Sequence, residues 1–214
     1  MSTAVVGVGN IGGAIARHLV GGGESVVLAA RDESKASALA ESLGPLVLAA
    51  SVEDALKGAD AVIFAVWLDP MRELITNYAS LLENKVVIDP SNPIGFDANG
   101  QAMRTLPEGQ SAASVVSSLL PSSAHYVKAF GTLVAGQLAS EANREPRRVV
   151  LFYATDDAVA EGAVQRLIRS AGFDPLKVGG VADAARIEVP GGDLQGGLFA
   201  LDEARTKLAR RESA

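Results

Sequence analysis

Ala4-Val5-Val6-Gly7-Val8-Gly9-Asn10-Ile11-Gly12 places an apolar run directly before G-x-G-x-x-G near the start of the chain. The run is too short for a helix, and the residues after it follow a helical period to about Val20, so the stretch predicts a strand, a tight turn and a helix. In that setting each glycine has a separate task. Gly7 permits the turn, Gly9 leaves no Cβ between the backbone and a pyrophosphate, and Gly12 lets the helix pack close to the strand with its N-terminus facing the anion. The spacing predicts a dinucleotide pyrophosphate site at Gly7, Val8, Gly9, Asn10, Ile11 and Gly12; the alternative is a glycine-rich turn with no ligand.

Working outward, the same alternation repeats. Ser25 to Ala30 reads as a strand, Ser34 to Leu43 as a helix, Leu46 to Ala49 as a strand and Val52 to Leu56 as a short helix. The apolar run Ala61 to Val66, a helix near Met71 to Leu82 and the run Val86 to Asp89 follow. Short, wholly apolar strands separated by helices predict a doubly wound, mostly parallel α/β sheet covered on both faces. From Asp89 to Gln110, Pro90, Pro93, Gly95, Gly100, Pro107 and Gly109 interrupt any period, which predicts a long loop able to act as a lid. Beyond it come a helix at Ser111 to Leu120 and strands at Tyr126 to Phe130 and Arg148 to Tyr153. A helix at Asp156 to Ala171, a last strand at Pro175 to Val178 and an amphipathic end at Leu198 to Arg211 complete the chain. The division read from this is a dinucleotide-binding domain over residues 1–145 and a small C-terminal α/β portion over residues 146–214, joined to the same sheet or forming an adjoining lobe.

Composition narrows the function classes. With 214 residues, 48% of them hydrophobic, the chain can bury a sizeable core. A formal charge of -6 and no dense basic stripe argue against a nucleic-acid partner. The absence of cysteine excludes disulfides, thiolate metal sites and a cysteine nucleophile. No stretch approaches the roughly 20 apolar residues that span a bilayer, and Met1 to Gly9 has no leader pattern, so the expected location is cytoplasmic, away from membranes. His18 falls on the first helix and reads as exposed. His125 stands at a strand start and reads as a structural or surface imidazole. No acid/base constellation stands out, and two distant histidines make a catalytic metal site an unfavourable reading.

The end of the second strand selects the dinucleotide. A carboxylate there would bond the ribose hydroxyls of NAD, but the sequence reads Ala29-Ala30-Arg31, and Arg31 with Lys35 offers two cations to a 2′-phosphate. Asp32 is either the expected acid displaced along the chain or a cap for the next helix. NADP(H) is therefore the expected cofactor. Strand ends further along place Val66, Trp67 and then Asp89 to Pro93 around the nicotinamide. Trp67 either walls the cleft or packs half-buried on the following helix. Ser91 and Asn92 either hold a carboxamide or ribose or shape an Asn-Pro turn.

Taken together, Gly7 to Gly12, Arg31-Asp32 with Lys35, Ala65-Val66-Trp67, Val86-Val87-Ile88-Asp89-Pro90-Ser91-Asn92-Pro93 and Val127-Lys128-Ala129-Phe130 resemble the NADPH-dependent coenzyme F420 reductase family. Asp156-Asp157 and Ala184-Ala185-Arg186-Ile187-Glu188 are similar to its C-terminal segment. The resemblance implies a Rossmann domain in which Arg31 and Lys35 hold the 2′-phosphate. It also implies hydride transfer to coenzyme F420 or a flavin stacked on the nicotinamide, and a homodimer. The sequence departs from the family pattern at Ala30, often a serine, at Val66-Trp67, which lacks a proline between them, and at Gly131, often an asparagine. Gly131 is expected to leave open space beside the acceptor ring, in a cleft formed by Trp67, Ser91 to Pro93 and the Lys128 to Thr132 segment. Two other readings remain. One is a reductase of a small imine or carbonyl compound, whose relatives carry a long all-helical second domain that 214 residues do not accommodate. The other is a non-catalytic NADP(H)-binding redox sensor.

Overall fold

The structure is a computed structural model and describes residues 1–212. The first half alternates as the apolar runs dictate: β1 (Thr3–Val6), α1 (Asn10–Gly21), β2 (Val26–Ala29), α2 (Glu33–Leu43), β3 (Val47–Ala49), α3 (Val52–Gly58), β4 (Ala61–Phe64), α4 (Leu68–Asn77) and β5 (Val86–Asp89). A hairpin of β6 (Ile94–Phe96) and β7 (Ala102–Arg104) follows. Then come α5 (Ala112–Leu119), β8 (His125–Ala129), α6 (Ala135–Ser140), β9 (Val150–Ala154), α7 (Ala158–Ser170), β10 (Asp174–Gly179) and α8 (Leu201–Glu212).

Eight strands form one sheet in the order β10-β9-β8-β5-β4-β1-β2-β3. Its pairs are parallel except β8 with β9, which run antiparallel with Lys128 opposite Ala154 and Ala129 opposite Tyr153. Strand order reverses on either side of β1, so the turn after β1 opens at the crevice where ligands lie in such sheets. The segment after residue 145 contributes β9 and β10 to this same sheet. Among the described residues, no helix is long and apolar enough to cross a membrane.

Strand side chains alternate between the two faces, and the sheet buries both. Val5, Leu28, Ile63, Ile88 and Val127 join Ile15, Leu19, Val164 and Leu167 of α1 and α7 in one core. Val6, Val62, Phe64 and Val87 join Leu56, Met71, Ile75 and Val116 of α3, α4 and α5 in the other. That two-sided burial is why most positions of these strands are apolar.

Three sequence expectations need correction. The lid loop contains the β6–β7 hairpin. Its strands are three residues each, too short to show a period, and its turn is closed when Asp97 Oδ1 accepts hydrogen bonds from the N–H groups of Asn99 and Gln101, both at 2.8 Å, with Gly100 at φ 77°. The helix expected through Leu82 ends at Asn77, and a 3₁₀ turn at Ala79–Leu82 carries the chain to a still-buried Leu82. His18 is half-buried: its Nε2 donates to the Leu138 carbonyl at 2.9 Å, and its ring meets Phe173 edge-on at 6.0 Å. The contact comes from α6, which the sequence pattern did not reveal.

Candidate functional site

The three glycines of the first turn sit in three different environments. Gly7 has φ 100°, and a Cβ there would lie 2.4 Å from the Ala65 carbonyl oxygen. At Gly12 a Cβ would lie 1.9 Å from the Gly7 carbonyl oxygen. Both are demanded by the protein's own packing. Gly9 is exposed, has an ordinary φ of -70°, and a Cβ there would meet nothing within 4 Å. The protein has no internal need for glycine at that position. Gly9 also precedes α1 with no side-chain cap, so the first N–H groups of the helix are left for something outside the chain.

The contrast extends along the carboxyl edge. Helices α1, α2 and α4 begin there without a side-chain cap, whereas α3 and α5 are capped by Ser51 and Ser111. The uncapped starts of α1 and α4 border a cleft of about 490 Å³. Gly9, Asn10 and Ile11 form one side, Ala65, Val66 and Trp67 the next, and Pro90, Ser91 and Asn92 the floor. The hairpin supplies Ile94 and Phe96, and the segment after β8 supplies Gly131 and Leu133 to Ala135. Three of the strand ends named from sequence meet here.

Past β2, Arg31 is exposed and has no hydrogen bond or ion pair among the described residues. Lys35 lies 3.6 Å from Asp32, both side chains at least half exposed. Asp32 holds the N-cap position of α2 but makes no side-chain cap bond; its carboxylate accepts from the Ser34 hydroxyl at 2.6 Å. That hydroxyl, and Lys35 after it, hold the Asp32 carboxyl below its usual range. Arg31 is thus the uncommitted cation at this end, and Lys35 is shared with a neighbour.

Trp67 walls the mouth of the cleft. It is 58% exposed, and its ring meets that of Phe96, also 58% exposed, edge to face at 6.2 Å. Asn92 and Ser91 have exchanged the availability their chemistry suggests. Asn92 Nδ2 donates to the Gly131 carbonyl and its Oδ1 accepts from the Val189 N–H, both at 2.8 Å, so the amide pins three segments together. Ser91 is 4% exposed and its hydroxyl has no partner among the described residues. A buried hydroxyl left unpaired costs about 1–3 kcal/mol. Gly131 does not open space as expected: a Cβ there would lie 2.5 Å from the Pro90 carbonyl oxygen, so close approach of two loops is what requires glycine.

Lys128 does not face the cleft either. It is 1% exposed, and its Nζ donates to Asp89 Oδ2 at 3.0 Å and to the Ser91 carbonyl, with Glu188 at 3.7 Å. The Tyr126 hydroxyl also donates to Asp89 Oδ2, at 2.7 Å, and burial followed by the Asp89 charge pushes that phenol well above its ordinary value of 10. This buried group, below the floor formed by Ser91 and Asn92, was not anticipated from sequence. His125 is at the other edge of the sheet, where Nδ1 lies 2.8 Å from Asp157 Oδ2 at the start of α7.

A doubly wound sheet with a glycine turn open at its switch point, and a cation past the second strand, is the architecture of a dinucleotide-binding protein. Residues 2–93 match the family described as NADP oxidoreductase, coenzyme F420-dependent. The metalloreductase STEAP3 of Rattus norvegicus is 30% identical over 184 residues, which are 86% of this chain; the chain spans only 35% of that relative's length. The F420-dependent NADP reductase of Methanothermobacter thermautotrophicus is 28% identical over 199 residues, covering 88% of this chain and 85% of the relative. A crystal structure of a hypothetical protein from Sinorhizobium meliloti superposes with a TM-score of 0.83 at 31% identity, over 94% of this chain and 95% of the other. Over residues 2–93 the chain is similar to the coenzyme F420-dependent NADP oxidoreductases, and a reductase of that kind matches it along most of its length.

Proposed function

We propose that the protein binds NADPH with its pyrophosphate on the turn Gly7 to Gly12 and its 2′-phosphate at Arg31 and Lys35, and passes hydride to a deazaflavin such as coenzyme F420 or to a flavin. The observation that carries this reading is Gly9, where a Cβ would meet nothing within 4 Å beside an uncapped helix start that runs into the cleft. A bare N–H row at a helix N-terminus attracts an anion, and the space at Gly9 lets that anion approach the backbone.

The nicotinamide supplies a hydride from its C4 carbon; the acceptor takes it at N5 of a flavin or C5 of a deazaflavin, together with one proton from water. The chain's part is orientation. Val66 packs on Gly7, and the Asn92 amide ties the floor to the segments carrying Gly131 and Val189. Holding donor and acceptor atoms about 3–3.5 Å apart is itself a large contribution to rate. None of the residues lining the cleft has a titratable side chain, which favours direct hydride transfer over reduction of a small imine or carbonyl compound that needs a proton donor.

Purified protein with NADPH and, in turn, oxidised coenzyme F420, flavin mononucleotide and ferric chelate tests the reading. Turnover with a ring acceptor, and retention of one stereospecific deuterium of NADPH on a deazaflavin, are the expected results. Tight NADPH binding with no acceptor reduced would favour the sensor, and turnover of aliphatic imines or ketones alone would favour the small-carbonyl enzyme.

A further inference from the structure

Beneath the cleft floor lies a charged group cut off from water. Asp89 at the end of β5, Lys128 on β8 and Glu188, just past a 3₁₀ turn at Val181–Ile187, are 0%, 1% and 1% exposed. Lys128 Nζ lies 3.0 Å from Asp89 Oδ2 and 3.7 Å from Glu188 Oε1, so one ammonium faces two carboxylates. The group is bonded to the floor on both sides of Ser91. The Ser91 N–H donates to Asp89 Oδ1 at 2.7 Å, and the Ser91 carbonyl accepts from Lys128.

The hydrogen bonds fix the charge state. Asp89 accepts from the Ser91 N–H, the Tyr126 hydroxyl and Lys128; Glu188 accepts from the N–H groups of Ala112 and Ala113 and faces Lys128. Among the described residues every partner of these carboxylate oxygens is a donor, which leaves no acceptor for a carboxyl proton. Lys128 lets the two carboxylates stay ionised side by side. Its charge cancels one of theirs, and the start of α5 offsets roughly half a unit more, so the sum stays negative. Arg186, the cation nearest Glu188 along the chain, pairs with Asp193 instead. No charged side chain lines the cleft itself, and burial keeps salt from screening the group below it.

We propose that Asp89, Lys128 and Glu188 form a buried counter-charge for the oxidised nicotinamide, favouring NADP⁺ over NADPH in the cleft and so the release of hydride. This rests on the NADPH-binding and hydride-transfer reading above. Hydride leaves the C4 carbon of NADPH with both electrons of its bond, the nicotinamide becomes a cation, and the flavin or deazaflavin gains that hydride and one solvent proton. A negative charge already fixed beneath the floor stabilises the positive charge as it develops, without rearrangement of the protein.

The ratio of the dissociation constants of NADP⁺ and NADPH, read by calorimetric titration of the full chain, separates charge from fold, because a loosened floor weakens both nucleotides alike. Glu188→Gln removes one negative charge and should raise that ratio about tenfold, equivalent to a rise of about 30 mV in the midpoint potential of the bound couple. Asp89→Asn makes the same change from the strand end and replaces Glu188→Gln if that variant does not fold. Tyr126→Phe takes a hydrogen bond from Asp89 without altering the charge, and its ratio should stay within about twofold of the wild type. An unchanged ratio in a folded carboxylate variant, or an equal rise in Tyr126→Phe, would overturn the proposal while NADPH binding stands. If the wild-type chain binds neither nucleotide, the dinucleotide reading falls and this proposal with it.

Discussion

Helices α1 and α5 both begin at the carboxyl edge of the sheet, and the chain treats their N–H groups in opposite ways. At α5 the helix receives an anion of its own: Glu188 accepts from the N–H groups of Ala112 at 3.0 Å and Ala113 at 2.8 Å, and Ser111 caps the next position. Glu188 is 1% exposed and lies 3.7 Å from the equally buried Lys128, so its charge is answered inside the protein. At α1 the corresponding position is Gly9, exposed, side-chain-less and uncapped. The same partial positive charge at a helix start is satisfied once by a residue 75 or 76 positions away and once left without a side-chain partner. A resident carboxylate makes a structural joint, and the open helix start is where the proposed pyrophosphate site lies.

The largest expected effect in a variant that still folds comes from removing the resident anion. Glu188→Ala leaves two buried N–H groups without acceptors, at about 1–3 kcal/mol each, and should lower the melting temperature sharply in calorimetry. A variant as stable as the wild type would mean that α5 does not need its carboxylate, and the comparison would lose its structural side.

Gly9→Val probes the open start. Its φ of -70° suits any residue and its surroundings are empty, so the variant should melt with the wild type while NADPH binding disappears from titration. Gly12→Val, whose Cβ would lie 1.9 Å from the Gly7 carbonyl oxygen, should fail to fold. Retained NADPH affinity in folded Gly9→Val would move the phosphate elsewhere.

Arg31→Ala is a smaller perturbation of the same site. A charge-assisted bond contributes about 1.5–3 kcal/mol, so NADPH should weaken by that amount while NADH, which lacks the 2′-phosphate, is unaffected. Parallel losses in calorimetric titrations with both nucleotides would contradict this assignment.

The smallest effect belongs to Tyr126, on the structural side. Its phenol is raised well above 10, mainly by burial, so the folded chain keeps a proton that the unfolded chain releases near pH 10. The stability from this group is fully present below about pH 10 and declines as the pH rises above it toward the folded value. Tyr126→Phe should cost about 0.5–1.5 kcal/mol at neutral pH and flatten the alkaline limb of a stability-against-pH curve. An unchanged slope above pH 10 would show that the Tyr126 phenol is not raised in the folded chain.

How much of this was legible in the sequence follows from how far apart the interacting residues lie. Ala4 to Gly12 contains a strand, its turn and the helix start within nine residues, so apolar run and glycine spacing together reveal them. Periods reveal which face a residue occupies and nothing about its partner. Asp89, Lys128 and Glu188 read as a strand end, a mid-strand lysine and a loop residue; separations of 39 and 60 positions hide their meeting. The β6–β7 hairpin escaped because three-residue strands carry no usable period, and α6 because a single short helical turn pair does not either.

The sequence by itself determined the parallel α/β sheet, the glycine turn at its switch point and the cations past β2, because each depends on local backbone sterics and side-chain period. Only the tertiary structure decided that Gly9 faces open space while Gly7 and Gly12 are filled by packing, that Asn92 is spent on backbone while the Ser91 hydroxyl is not, and that Lys128 is buried beneath the cleft. Those outcomes depend on which distant segments come into contact, and a hydrogen bond formed across the fold determines whether a polar group remains available to a ligand.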